Sequence, residues 1–224
     1  GYAAQPEGVP LRRYGIFSFV CLPLFVTALQ FHMVSVALPE MIDDLGAPLR
    51  WVGWVLTIYT IASASAMPIM GKLSYEFGRR RVFAAGLTLF AVSSLACAVA
   101  PDVYTLIAAR FVQGIAAGSL QPSAYGLIGD TFPERRAQAL GLISAIIPFG
   151  TLLGPNLGGI IVESVGWRWT FALNVPVGLL LGAATFLVLP SSPRKPATRV
   201  DALGAGMLAA SVFALIYGLT ELGQ

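Results

Sequence analysis

Residues 104–128 read YTLIAARFVQGIAAGSLQPSAYGLI, and Arg110 is the only charged side chain among them. A hydrocarbon layer of about 30 Å is crossed by roughly 20 helical residues. A run of this length and composition therefore predicts a membrane-spanning helix.

Runs of similar character precede and follow this segment, and polar breaks rich in Pro, Gly and charged residues separate them. The predicted spans are 15–38, 51–70, 82–100, 104–128, 140–162, 170–189 and 204–221. They predict an all-α polytopic membrane protein with four parts, namely a cytoplasmic N-terminal segment 1–14, a six-helix bundle 15–189, a cytoplasmic loop 190–203 and a seventh helix in 204–224. Because that last helix has little to pack against, we expect the chain to be incomplete.

The composition excludes several classes of protein. Only 11% of the 224 residues are charged, against about 25% in soluble domains, which is too few to cover a water-exposed surface. The composition therefore argues against a soluble enzyme, a disordered segment and a nucleic-acid-binding protein. Cys21 and Cys97 lie in apolar runs and predict neither a disulfide framework nor a metal site.

The basic residues predict the orientation. With a cytoplasmic N-terminus, the outside loops contain only Arg50 and Arg168, and the inside segments contain eleven bases, as the positive-inside rule requires. These eleven are Arg12, Arg13, Lys72, Arg79, Arg80, Arg81, Arg135, Arg136, Arg194, Lys195 and Arg199. We therefore expect a multi-pass protein of the plasma or bacterial inner membrane.

Arg110 is the first candidate functional residue. A charge inside a membrane helix costs around 2.5–3.5 kcal/mol on insertion scales, so something must offset it. Arg110 either extends to the outer headgroups, since Asp102 is a turn or two away, or faces a wet cavity where it can bind an anion or act on a carboxylate. Gln113 lies three residues further on and shares its face.

Two glycine-containing segments indicate close packing or shaped turns. Residues 150–159 place glycines on one helix stripe, which lets a neighbouring backbone approach, and Pro155 removes a helical hydrogen bond. Residues 71–81 form a predicted basic loop whose arginines can pair with a carboxylate or cap a helix C-terminus. Trp167 to Trp169 are predicted to lie in an aromatic belt at the membrane interface.

In order, these segments resemble the major facilitator superfamily, and within it the drug:proton antiporters with fourteen helices. Residues 71–81 resemble motif A (Gly71, Glu76, Gly78, Arg79 and Arg80), Arg110 to Gly114 resemble motif B, and residues 150–159 resemble the antiporter motif C (Gly150, Gly154, Pro155, Gly158 and Gly159). Residues 29–39 and 167–178 resemble the subfamily's first-helix and sixth-helix signatures. Three residues depart from the family pattern: Gln30 stands where an acid is usual, His32 where threonine is usual, and Tyr75 where motif A carries its acid.

The resemblance implies two three-helix inverted repeats, with the first helix of each lining a central cavity. It implies proton-coupled export of amphipathic or cationic small molecules by alternating access, with Arg110 and His32 in coupling, and no enzyme activity. Cavity residues would be Gln30, His32, Gln113 and Gln121. No cofactor is implied beyond the proton gradient, and the expected partners are membrane lipid, a small-molecule substrate, and a C-terminal helix bundle or second subunit.

Three alternatives to this reading remain. The chain could be a transport-inactive fragment or scaffold, or a transporter of this superfamily for another substrate class. A membrane enzyme is the most distant alternative, because the sequence offers no catalytic pair or metal cluster.

Overall fold

The computed structural model describes residues 10–190 and, beyond these, Met207, Ala210, Ser211, Ala214 and Gly218. The helices in the first range are α1 (Pro10–Leu45), α2 (Leu49–Phe77), α3 (Arg79–Ala98), α4 (Val103–Thr131), α5 (Arg136–Val165), α6 (Trp169–Ala172) and α7 (Asn174–Val188). A single turn of 3-10 helix, Pro133–Arg135, joins α4 to α5. Helices α6 and α7 together form one span, so the described residues contain six helical segments long and apolar enough to cross a membrane.

The helices are longer than the apolar runs that predicted them. Helix α1 continues past Pro39 to Leu45, and α2 continues through most of the predicted basic loop to Phe77. Polar residues can extend a helix beyond the hydrocarbon layer, where water can satisfy its end groups. The prediction of a loop over residues 71–81 is therefore wrong, since the chain turns at Gly78 alone, whose φ of 96° favours glycine.

The helix pairs follow the expected inverted repeat. The principal contacts join α2 to α4, α1 to α5, α3 to α4 and α3 to α7. If α1–α3 are matched with α4, α5 and the α6–α7 span, the α2–α4 pair maps onto the α5–α1 pair, and the α3–α7 pair maps onto itself. The α3–α4 pair is the exception, because its counterpart between α1 and α7 is much less extensive. The predicted six-helix bundle of two three-helix repeats is confirmed. The predicted N-terminal segment and the 190–203 loop lie almost wholly outside the described residues, and of the seventh helix only five residues are described, all helical.

Glycines allow close backbone contact at both of the equivalent pairs. A Cβ atom built on Gly114 would lie 2.5 Å from the Tyr59 carbonyl oxygen, and one on Gly118 would lie 2.6 Å from that of Ser63, both on α2. In the α5–α1 pair, a Cβ on Gly154 would lie 2.6 Å from the His32 Cβ. The two repeats therefore use small residues in the same way.

The two ends of the bundle differ in charge. We call the end that carries Arg79, Arg80, Arg81, Arg135 and Arg136 the basic end. At the opposite end, Asp44 on α1 accepts hydrogen bonds from the Trp167 indole, at 3.1 Å, and from the Arg168 guanidinium. Trp167 is 1% exposed and its indole N–H is bound by Asp44, whereas Trp169 is 49% exposed. The assignment of these residues to an interfacial belt stays a prediction.

Candidate functional site

Arg110 lies in the middle of the bundle and is fully buried. Its Nε donates to the Val55 carbonyl oxygen at 3.0 Å, and one terminal nitrogen donates to Gln113 Oε1 at 2.6 Å. Gln113 Nε2 donates in turn to Ser94 Oγ at 2.6 Å. This chain of polar contacts, which we call the Arg110 network, links α2, α3 and α4.

The charge of Arg110 is offset without an acid. Among the described residues no carboxylate forms an ion pair with it. Instead its guanidinium carbon lies 4.0 Å from the centroid of the Tyr59 ring and 5.7 Å from that of Phe171. Ring faces, a carbonyl and an amide oxygen stabilise the cation, and its second terminal nitrogen has no hydrogen-bond partner among the described residues. Because Arg110 is fully buried and does not line the neighbouring cavity, neither the interpretation that it extends to the outer headgroups nor the one that it faces a wet cavity fits this conformation.

A cavity of about 210 Å³ lies beside this network. Four helices contribute to its wall, which mixes apolar, hydroxyl, amide and imidazole side chains. The lining residues are Leu24, Thr27, Ala28, Phe31, His32, Tyr59, Ser63, Ala117, Gln121, Ile147 and Thr151. None of these is acidic, and the volume is below the usual range for drug-sized ligands, about 300–1,000 Å³.

Tyr59 connects the network with the cavity. It lines the cavity and also covers the Arg110 guanidinium, so its ring separates the buried charge from the open space. Phe31 contacts the Tyr59 ring in a tilted arrangement, with ring centroids 5.6 Å apart. Any movement of this tyrosine would change how far the cation is exposed to the cavity.

The residues predicted to line a cavity fall into two groups. His32 and Gln121 are cavity residues, whereas Gln30 and Gln113 are fully buried and do not line this space. Gln113 belongs to the Arg110 network. Gln30 is one helical turn from buried Val34, and neither polar atom of its amide has a hydrogen-bond partner among the described residues.

The motif A and motif C residues lie away from the Arg110 network. At the basic end, Arg79 is 2.7 Å from the Asp130 carboxylate and also donates to the Gly126 carbonyl oxygen. Arg80 donates to the Phe186 carbonyl oxygen near the C-terminus of α7. These contacts match the expected carboxylate pairing and helix capping.

Three further motif residues, Glu76, Gly159 and Gly71, make fewer contacts. Glu76 is buried, and its Oε1 has no hydrogen-bond partner among the described residues. On α5, the Gly150, Gly154 and Gly158 faces meet α1, whereas nothing lies within 4 Å of a Cβ built on Gly159. Gly71 has room for a Cβ, at 3.5 Å from that of Pro122.

Sequence reasoning missed Tyr59 and Ser94. Both lie in predicted spans without being part of a quoted motif, yet each carries a hydroxyl that is out of place in a purely lipid-facing helix. That polar handle is the signal that could have identified them.

The sequence profile of the Major Facilitator Superfamily matches residues 20–220. The chain belongs to this superfamily. Together with the six helical segments long enough to cross a membrane, membership indicates a multi-pass membrane protein.

Among curated relatives, the multidrug transporter protein MdtP of Bacillus subtilis (strain 168) is 34% identical over 96% of this chain and 39% of its own length. The tetracenomycin C resistance and export protein of Streptomyces glaucescens is 35% identical over 99% of this chain and 42% of its own length. Several other relatives are also named as drug-resistance proteins. The chain thus spans about two fifths of the length of the curated relatives it matches.

The superfamily fold also appears in a solved structure. The crystal structure of the peptide transporter POT (E310Q mutant) in complex with sulfate has a TM-score of 0.69 and 20% identity. The match covers 99% of this chain and 47% of that one. At this identity the likeness shows the superfamily fold and carries nothing about substrate.

Proposed function

We propose that this chain is the N-terminal bundle of a transporter that exports amphipathic or cationic small molecules in exchange for protons. The observation that carries the proposal is the buried Arg110 next to a mixed polar and apolar cavity, in a chain whose relatives are named for multidrug transport and drug resistance. Such a cavity binds by shape and a few polar groups rather than by one charge.

From the small size of the cavity we infer that a further part of the protein completes its wall. A volume of about 210 Å³ accommodates only part of a drug-sized molecule. A C-terminal helix bundle or a second subunit would complete it, and alternating access would then follow from rocking the two bundles against each other. We place the protein in the plasma or bacterial inner membrane with its basic end in the cytoplasm, as the distribution of bases requires.

Arg110 is proposed as the coupling residue because it is a charge held without an acid. A cation that lacks a buried counter-charge is destabilised by a cationic substrate in the neighbouring cavity and stabilised by a carboxylate that loses its proton nearby, so occupancy of the cavity and the state of Arg110 are linked. Tyr59 is the side chain that must move for either group to approach Arg110. The proton-carrying group would be His32, the one histidine of the chain, or an acid outside the described residues.

The test is dye-driven proton flux in proteoliposomes of the full-length protein under an imposed pH gradient. We expect Arg110→Ala to lower dye-coupled proton release by at least about tenfold, since it removes a buried charge and its hydrogen bonds, and Arg50→Ala, which changes an exposed arginine, to leave it intact. Unchanged flux in Arg110→Ala, from protein shown to be folded by size-exclusion chromatography, would remove Arg110 from coupling.

A third variant and the wild type separate the remaining alternatives. If His32→Gln retains proton release, the proton is carried elsewhere in the protein. No dye movement by folded wild type at any gradient would contradict drug:proton exchange, and would favour another substrate class or a transport-inactive membrane scaffold.

A further inference from the structure

A second cavity lies at the basic end, between the first turns of α1 and α5. Its volume is about 210 Å³, and we call it the basic-end groove. The apolar part of its lining, which we call the floor, is formed by Phe17, Phe132, Ala139 and Leu142, and the polar part, which we call the rim, by Tyr14, Arg135 and Gln138. The Phe132 ring packs between those of Tyr14 and Phe17, with centroids 6.2 and 6.1 Å away.

The groove does not belong to the proposed transport cavity. On α5 the groove uses Gln138 and Leu142, whereas the transport cavity uses Ile147 and Thr151. Each groove residue is nine positions from its counterpart, which at 3.6 residues per turn places it on the opposite side of the helix. The groove therefore lies on the other side of α5 from the transport cavity and nearer the basic end, and the two sites share no lining residue. On α1 they share one side of the helix, since Phe17 is seven residues, about two turns, from Leu24.

The order of the lining residues matches the layers of a bilayer leaflet. Arg135 lies at the very start of the fifth candidate span, which runs from Pro133 to Val165. Leu142 is seven residues further along, which is about 10 Å deeper into the membrane along a helix axis. The polar rim thus lies at headgroup level and the apolar floor at the level of the first acyl carbons.

The charges favour an anionic ligand. Arg135 is exposed, and the described residues include no ion-pair partner for it. The two neighbouring acids are already engaged, Glu134 with Arg13 at 3.4 Å and Asp130 with Arg79 at 2.7 Å. The groove lining contains no carboxylate that could receive the amine or ammonium of a zwitterionic headgroup.

We propose that the basic-end groove binds one anionic phospholipid. Its headgroup phosphate contacts Arg135, with Tyr14 and Gln138 as further donors, and one acyl chain lies along Phe17, Phe132 and Leu142. Basic pockets between membrane helices bind anionic headgroups in this way. The proposal does not depend on the transported substrate or on proton coupling.

The test is native mass spectrometry of the full-length protein in detergent, with phosphatidylglycerol and phosphatidylcholine of identical acyl chains. We expect wild type to retain phosphatidylglycerol about fivefold more than phosphatidylcholine, the preference that one basic residue near a membrane surface supplies. Arg135→Gln should abolish that preference. Arg81→Gln, which neutralises another exposed arginine of the basic end, should preserve it.

A second pair of variants tests the acyl-chain contact separately from charge. Leu142→Trp fills the apolar floor and should reduce retention of both lipids, whereas Leu152→Trp, on the same helix but outside the groove, should not. Soluble glycerophosphoglycerol, which lacks acyl chains, should not displace the lipid.

Four results would overturn the proposal. They are equal retention of the two lipids by wild type, an equal loss of preference in Arg81→Gln and Arg135→Gln, unchanged retention in Leu142→Trp, and displacement of the lipid by the headgroup alone. If a second copy or another part of the full-length protein covered the groove, wild type would retain the two lipids equally, which is the first of these results.

Discussion

The buried middle of the bundle and its basic end hold their arginines by different means. Arg110 is fully buried and is stabilised by a carbonyl oxygen, an amide and two aromatic rings. Arg79 has 21% of its side chain exposed and pairs with Asp130, whose side chain is 61% exposed.

The difference follows from the surroundings of each cation. Water at the basic end screens the attraction between opposite charges, so an ion pair there contributes little. In the dry middle every lost hydrogen bond leaves a polar group without water as a substitute. We therefore expect substitutions in the middle to be costly and substitutions at the ends to be mild.

The largest expected effect is that of Gln113→Leu. It removes the acceptor of Arg110 and the donor to Ser94 at once, so both buried partners lose a hydrogen bond. We expect a loss of about 3 kcal/mol in the free energy of unfolding, measured by denaturant titration in detergent micelles. Gln138→Leu, at an exposed amide, is the matched control and, in micelles free of phospholipid, should change the free energy of unfolding by less than about 0.5 kcal/mol. If the two variants lost the same free energy of unfolding, burial of the amide would not determine how much its hydrogen bonds contribute to stability.

The next effect is that of Gly154→Ala in the α5–α1 contact. The added Cβ would lie 2.6 Å from the His32 Cβ and 2.9 Å from the Leu29 carbonyl oxygen, so the helices must separate. We expect a destabilisation of about 1–2 kcal/mol. Gly159→Ala is the control, because nothing lies within 4 Å of its Cβ and alanine favours a helix. If Gly154→Ala were as stable as wild type, the α5–α1 contact would be looser than these distances indicate.

A smaller effect is expected for Asp130→Asn at the basic end. Because the pair with Arg79 is partly exposed, its removal should cost less than about 1 kcal/mol, and the cost should shrink as salt rises. The same micelle titration at low and high ionic strength measures this. A loss of unfolding free energy that does not depend on salt and is as large as that of Gln113→Leu would contradict the expected difference between the buried middle and the basic end.

The smallest effect concerns Asp102 at the start of α4. Its carboxylate accepts hydrogen bonds from the Thr105 backbone and hydroxyl and from the Tyr104 backbone, and these lower its pKa. A lowered folded-state pKa gives stability that is present above the unfolded pKa of about 3.9 and is lost as the pH falls through the folded value. Asp102→Asn keeps a capping oxygen but cannot titrate, so wild type should lose more stability than this variant below about pH 4. Parallel acid unfolding curves would contradict the prediction.

Much of the fold was predictable because the bilayer imposes a length and a composition on each span. The runs around 104–128 and 140–162 identified α4 and α5, and the glycines at 150, 154 and 158 predicted a close helix contact. The ends of α1 and α2 were not predictable from hydropathy, since helices continue into water where the apolar signal stops.

Individual site residues were predictable from the sequence, but the side chains that contact them were not. Arg110 stands out in sequence as the one charge of its span, yet Tyr59, Val55 and Ser94 are separated from it by many residues and become neighbours only when α2, α3 and α4 pack. Likewise Gln30 and His32 are two residues apart on α1, but the structure buries the first and places the second at the cavity.

The sequence by itself determined that this chain is a helical membrane protein with several spans, a basic end and one arginine within a span, because hydrocarbon thickness and charge act locally on short windows of residues. Tertiary structure alone decided which side chains offset that arginine, which amides face the cavity, and that α5 has a second groove on its opposite side. Those outcomes depend on how each helix is rotated against its neighbours, and that rotation is set by packing between residues far apart in the chain.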